Sequence, residues 1–144
     1  MKVRELLKGK GSEVATVRPD SAVSTAANLL KLKGIGALVV SDDGYHVEGI
    51  LSERDLVRAL VDHGHDLMDL RVSELMTRTV KVCHFDSDVN EVMSEMTRSR
   101  IRHLPVVEDG ALVGIVSIGD VVKNRLDELE TETSVLRDYI VGRA

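Results

Sequence analysis

Residues 35–60 read IGALVVSDDGYHVEGILSERDLVRAL, and residues 101–125 read IRHLPVVEDGALVGIVSIGDVVKNR. With one residue skipped, the two stretches align at Ile35/Ile101, Leu38/Leu104, Val40/Val106, Asp43/Asp109, Gly44/Gly110, Gly49/Gly114, Ile50/Ile115, Ser52/Ser117, Asp55/Asp120 and Val57/Val122. The chain is therefore a tandem repeat. Aliphatics and glycines in that set are what a core and its turns require. A serine and an aspartate at the same corner of both copies are polar and need another reason.

The repeat extends upstream, because Val14 to Val23 matches Val80 to Val89 in pattern. Val23, Ala26, Ala27 and Leu30 fall on one face of a helix, as do Val89, Val92, Met93 and Met96. Asp20-Ser21 and Asp86-Ser87 offer N-cap chemistry, and Gly34 offers a C-cap. Short aliphatic runs, Ala37 to Val40 and Leu104 to Val107, stop at Asp43-Gly44 and Asp109-Gly110, which are hairpin signals. A second strand, the Ser-x-x-Asp corner and another helix follow in each copy. The expected order per copy is strand, helix, strand, strand, helix.

Bounds follow from this order: a first repeat over 1–66, a second over 72–127, and a helical extension over 128–144. His63-Gly64-His65-Asp66 reads as a loop and Val72 to Met76 as a helical turn. Beyond Asp120 the chain stays helical to about Val141. There Val122, Leu126, Leu129, Thr133, Leu136 and Ile140 form a heptad-type seam, expected to pair two chains as a homodimer. The competing expectation is that this helix folds back over its own sheet.

Composition sets limits on function. At 144 residues with 43% hydrophobic side chains and no Trp, the chain can build an aliphatic core shared by two half-size units. A net charge of -5 and 2% aromatic residues disfavour a DNA or RNA backbone and base stacking. No apolar run reaches the roughly 18 residues of a membrane span, and the start MKVRELLKGK has no signal-peptide core. Cys83, the single cysteine, cannot form an internal disulfide. A cytoplasmic location is expected, with no membrane partner.

The corner Gly49-Ile50-Leu51-Ser52-Glu53-Arg54-Asp55 taken once is a capping box with Asp in place of Glu. Its recurrence as Gly114-Ile115-Val116-Ser117-Ile118-Gly119-Asp120, with the residues between replaced, favours a ligand role. A hydroxyl and a carboxylate beside free backbone N–H groups suit vicinal hydroxyls with an anionic tail, as in a ribose phosphate. His63, His65 and Asp66 are too weak a pattern for a metal site, and Cys83-His84 point to opposite faces of a strand. No paired general acid and base and no phosphate loop stand out, so no enzyme and no catalytic cofactor are expected.

Through I101-R-H-L-P-V-V, D-G-x-L-V-G-I-V-S and G-I-L-S-E-R-D the chain resembles tandem cystathionine beta-synthase (CBS) domain proteins, the Bateman module, over roughly Val3 to Leu126. The resemblance implies an α/β (α+β) CBS-domain pair, two β-α-β-β-α repeats packed sheet to sheet about a pseudo-twofold axis. It also implies two clefts for adenosine ligands: AMP or NAD(H) first, with ATP and S-adenosylmethionine as alternatives. Carried over by position, one cleft sets Ser52 and Asp55 on the ribose, with Ile50, Val80, Lys81 and Ile101 walling the adenine. Arg102 and His103 would face phosphate, helped by Arg54. The other cleft pairs Ser117 and Asp120 with Ala15, Ile35, Gly36 and Ala37. There Gly36, Ala37 and Gly119 replace Arg102, His103 and Arg54, so the first cleft is expected to be the better phosphate site. Output is expected to pass through a protein target or through assembly.

Overall fold

The computed structural model describes residues 1–142. Its elements run α1 (Val3–Lys10), β1 (Thr16–Val17), α2 (Val23–Lys33), β2 (Ala37–Val40), β3 (Gly49–Ser52), α3 (Glu53–His63), a 3-10 segment (Gly64–Asp69), α4 (Val72–Leu75), α5 (Val89–Ser99), β4 (His103–Glu108), β5 (Ala111–Ser117) and α6 (Ile118–Ile140). The mixed α/β repeat order is as expected in the first copy, whereas the second copy lacks its first strand. β1 pairs parallel to β2 and β2 antiparallel to β3, while β4 and β5 form an antiparallel hairpin.

The two hairpins close differently. Asp109 and Gly110 both take positive φ, 50° and 78°, which makes the tight mirror-image turn that matches strand twist. The first copy needs a longer loop, and there the Asp43 carboxylate accepts the N–H groups of Tyr45 and His46 at 2.8 and 2.9 Å.

The first strand of the second copy shrinks to a single bridge, Cys83 to Val106. Proline explains this. In the first copy the Val39 N–H donates to the Ala15 carbonyl at 3.2 Å. The corresponding position in β4 is Pro105, which has no N–H, so that rung of the ladder cannot form.

Two N-cap expectations are corrected. α2 starts with Ala22 at its N-cap and no side-chain cap, and α5 is capped by Asp88, whose side chain accepts from the Asn90 N–H. Asp20-Ser21 and Asp86-Ser87 are displaced from the caps because backbone pairing satisfies these helix starts. The Val23 N–H donates to Leu70 O (2.8 Å) and the Val72 N–H to Ser21 O (2.9 Å). In the second half the Val89 N–H donates to Met1 O (3.0 Å) and the Val3 N–H to Ser87 O (2.9 Å). The pairs correspond, so α1 stands to the second repeat as α4 stands to the first.

Packing follows these pairings and not chain order. Val3, Leu6 and Leu7 of α1 are buried with Cys83, Val89, Val92, Met96, Leu104, Val106, Val116 and Val121. Val72 and Met76 join Val17, Ala26, Leu30, Leu38, Val40 and Leu51. The opening helix thus completes the core of the second repeat, and the linker helix completes that of the first. Both contacts press on a glycine of the repeat: a Cβ on Gly49 would lie 2.7 Å from Met76 Sδ, and one on Gly114 would lie 2.9 Å from Leu7 Cδ1.

α6 does not fold back along its length. Leu126 is 55% exposed and Leu136 58%, so the seam beyond the repeat lies uncovered. No helix of the described residues is long and apolar enough to cross a membrane.

Candidate functional site

Each Ser-x-x-Asp corner is a strand passing directly into a helix. Ser52 ends β3 and caps α3; Ser117 ends β5 and caps α6. In the first corner Asp55 Oδ2 accepts from the Ser52 N–H (2.9 Å) and hydroxyl (3.0 Å), and the Asp55 N–H donates to Ser52 Oγ (3.2 Å). In the second the same three bonds measure 2.9, 2.9 and 3.2 Å between Ser117 and Asp120. Both are full capping boxes, so helix capping alone already employs these residues. Each box uses only Oδ2, and Oδ1 makes no hydrogen bond among the described residues. A further acceptor therefore remains at both corners.

Two cavities, each of about 520 Å³, lie beside these corners. That is within the range of roughly 300–1,000 Å³ usual for small-molecule sites. The first is lined by Ile50, Ser52, Arg54 and Asp55 of one repeat and by Val80, Lys81, Ile101, Arg102 and His103 of the other. All the residues expected there come together. The second gathers Ser117 with Ala15, Ile35, Gly36 and Ala37, again as expected. Asp120 is the exception: it does not line the cavity, and its Oδ2 is engaged by Ser117 and by Lys10. His103 and Gly36 line both cavities, so His103 is not exclusive to the first.

Several lining residues lie outside the expected set. Arg58 comes from the same face of α3 as Arg54, a helical spacing legible in the sequence. Arg100 also lines the first cavity, as the C-cap of α5 in a left-handed conformation, φ 54° and ψ 42°. The corresponding cap in the first repeat is Gly34, φ 61°. A non-glycine residue in this region is strained by about 1 kcal/mol or more, and such strain tends to sit at functional positions. The Arg100 carbonyl accepts from Arg54 Nη1 at 3.0 Å, which ties the two repeats across the cavity mouth. Lys10, Glu13 and Lys33 line the second cavity. Nothing in the repeat alignment marks Lys10, because α1 lies outside the compared stretches.

The cavities differ in charge. The first carries Arg54, Arg58, Lys81, Arg100 and Arg102 against Glu53 and Asp55. Lys81 is partly spent on Glu95 at 2.6 Å; Arg102 has no side-chain hydrogen bond or ion pair among the described residues. The second carries Lys10 and Lys33 against Glu13, and Lys10 Nζ sits 2.5 Å from Asp120 Oδ2. Burial raises the Asp120 pKa, but the Lys10 ammonium and the Ser117 N–H and hydroxyl outweigh it and hold the carboxyl below its ordinary range.

Burial lowers the His103 pKa from 6.5; Lys10 and Arg102 lower it further, against Asp120 and Glu53, which raise it. The unfolded chain then binds this proton more readily than the folded one. Neutral His103 therefore contributes stability that is fully present above the ordinary value and is lost as pH falls through it toward the depressed folded pKa. His103→Gln is expected to flatten the acid side of the unfolding free energy measured in urea between about pH 5 and about pH 7.5. Identical pH slopes in the two chains would show that His103 does not titrate in this way.

Comparison with known proteins gives consistent results. The family model described as "CBS domain" matches residues 3–62 and 72–127. The CBS domain-containing protein YhcV of Bacillus subtilis is 32% identical over 115 residues, covering 80% of this chain and 81% of YhcV. Among solved structures, the CBS-domain containing protein ATU1752 from Agrobacterium tumefaciens superposes with a TM-score of 0.84 at 47% identity, covering 87% of this chain and 99% of that one. The CBS domain pair of protein MJ0100, solved in complex with 5'-methylthioadenosine and S-adenosyl-L-methionine, has a TM-score of 0.78 at 26% identity, covering 89% and 98% of the two chains.

Proposed function

This chain belongs to the CBS-domain family, and from that premise we propose that it is a non-enzymatic sensor whose Ser52/Asp55 cleft binds an adenosine nucleotide. The observation that carries the reading is one cavity whose lining brings Asp55, with one carboxylate oxygen free of hydrogen bonds among the described residues, together with four arginines. Asp55 Oδ1 suits ribose hydroxyls, and Arg54, Arg58, Arg100 and Arg102 suit a phosphate. Ile50, Val80 and Ile101 supply apolar walls for a base. AMP or NAD(H) fits this distribution best; ATP and S-adenosylmethionine share the adenosine. The adenosine ligands of the MJ0100 pair support the class of ligand.

Because the cavity is built from both repeats, a bound nucleotide favours whichever relative arrangement it fits, and so biases the pair. The uncovered seam of α6, with Leu126, Leu129 and Leu136 exposed, supports output through a homodimer or a protein partner. The same seam favours a second reading, an assembly protein whose clefts bind nothing.

A thermal-shift series with AMP, ADP, ATP, NAD, NADH and S-adenosylmethionine separates the two. A ligand at 100 times its Kd adds about 2.7 kcal/mol and is expected to raise Tm by roughly 8 °C for a chain of this size. No shift with any of the six would leave the assembly reading standing.

A further inference from the structure

The Ser117/Asp120 corner of the second cleft is already engaged by a side chain of its own chain. Lys10, at the last turn of α1, reaches over β5 and places Nζ 2.9 Å from the Ile115 carbonyl and 2.5 Å from Asp120 Oδ2. Neither bond has a counterpart in the first cleft. There the carbonyl of Ile50, which corresponds to Ile115, accepts from the Thr77 backbone N–H at 2.9 Å, and among the described residues Asp55 bonds only within its capping box.

The difference comes from helix length. α4 stops at Leu75, and Met76 turns extended (φ −62°, ψ 149°), so Thr77 lies flat against Ile50 in a short bridge. α1 continues helically through Lys10, so no extended backbone is available to pair with Ile115. A side chain fills the gap instead. Leu7 presses on Gly114 as Met76 presses on Gly49, which aligns Lys10 with Thr79. Each lines its cavity, but one carries an ammonium and the other a hydroxyl.

We propose that Lys10 is the specificity-determining residue of the Ser117/Asp120 cleft: a tethered cation that occupies the corner where ribose hydroxyls would bind and so limits the chain to one nucleotide. A diol entering this corner must compete with an ammonium that is covalently held nearby and already bonded to Asp120. The Lys10 and Asp120 side chains are 30% and 23% exposed, so water screens their attraction only in part. Removing the ammonium frees the Asp120 carboxylate beside Ser117, at the edge of a cavity walled by Ala15, Ile35 and Ala37. The corner then matches the first cleft in the groups it offers to a ribose.

The inference rests on the nucleotide reading of the first cleft, and the stoichiometry of AMP binding by calorimetry tests the two separately. The full-length chain is expected to bind one AMP, lost in Asp55→Ala. Lys10→Met is expected to bind two, the added site being about tenfold or more tighter than any second site of the unaltered chain. The double variant Lys10→Met/Asp55→Ala is expected to keep one site, which Asp120→Ala then removes. Lys10→Gln, with a shorter uncharged side chain, is expected to behave as Lys10→Met does, and a cooperative thermal melt establishes that each variant is folded. One site in the unaltered chain and still only one in both folded Lys10 variants overturns the role of Lys10 alone. Two sites in the unaltered chain, one of them lost on removing Lys10, overturns it in the opposite sense by making Lys10 a ligand contact. No AMP bound by any chain overturns the nucleotide reading and this inference with it.

Discussion

Asp55→Asn is expected to weaken AMP binding about 10- to 100-fold, while Asp120→Asn leaves the affinity within about twofold. The two aspartates look alike in every local respect. Each sits at the third position of its helix and holds its serine through the same three hydrogen bonds. They differ in what lies above them. Asp55 lines a cavity with five arginine and lysine side chains and has no ion pair among the described residues. Asp120 lies outside the cavity wall and is bonded through Oδ2 to Lys10.

A hydrogen bond to a charged group contributes about 1.5–3 kcal/mol, so losing the charged acceptor for a ribose diol accounts for about one to two powers of ten. Asparagine keeps one carbonyl oxygen for the Ser52 N–H, which separates loss of ligand from loss of the helix cap. Titration calorimetry of both variants checks this. Equal losses from the two substitutions would mean that the clefts are equivalent and that the difference in charge has no functional weight.

Leu7→Ala is expected to destabilise the chain by about 2–5 kcal/mol, against a change of at most about 0.5 kcal/mol for Leu32→Ala. Both leucines lie in helices near the start of the chain. Leu32 is 82% exposed, whereas Leu7 is 5% exposed and packed into the core of the second repeat, against Gly114. Truncating it leaves a cavity between α1 and β5 that the rigid hairpin cannot close. Domains of this size have about 5–15 kcal/mol of stability in total, so the loss is a large fraction of it. Urea unfolding measures the difference. Similar midpoints for the two variants would show that α1 is an appendage and not part of the second core.

Much of the local chemistry of the chain is legible in its residues. Asp109-Gly110 marks a tight hairpin because turn geometry is decided by the residues in the turn, whereas Asp43-Gly44 lies in a longer loop, and Gly34 marks a helix end because a left-handed cap favours glycine. The Ser-Asp corners are legible by comparison of the two copies, since a polar pair retained between otherwise different neighbours has few explanations. Other features are hidden. Asp20-Ser21 and Asp86-Ser87 have the composition of N-caps, but the helix starts are satisfied from residues distant in sequence, Leu70 and Met1. Arg100 occupies a cap where composition would suggest glycine, so nothing in its identity announces the strained backbone or its place in the cleft.

By itself the sequence determined that there are two copies, which faces of their helices are apolar, and where a serine and an aspartate recur. Periodicity carries that much because side-chain direction follows from backbone geometry within one element. It does not say which apolar surface meets which, since burial is non-directional and α1 could have closed either core. Tertiary structure alone decided that α1 completes the second repeat and α4 the first. That choice placed Lys10 on Asp120 and left Asp55 open, so two corners with the same local hydrogen bonds present different chemistry to a ligand.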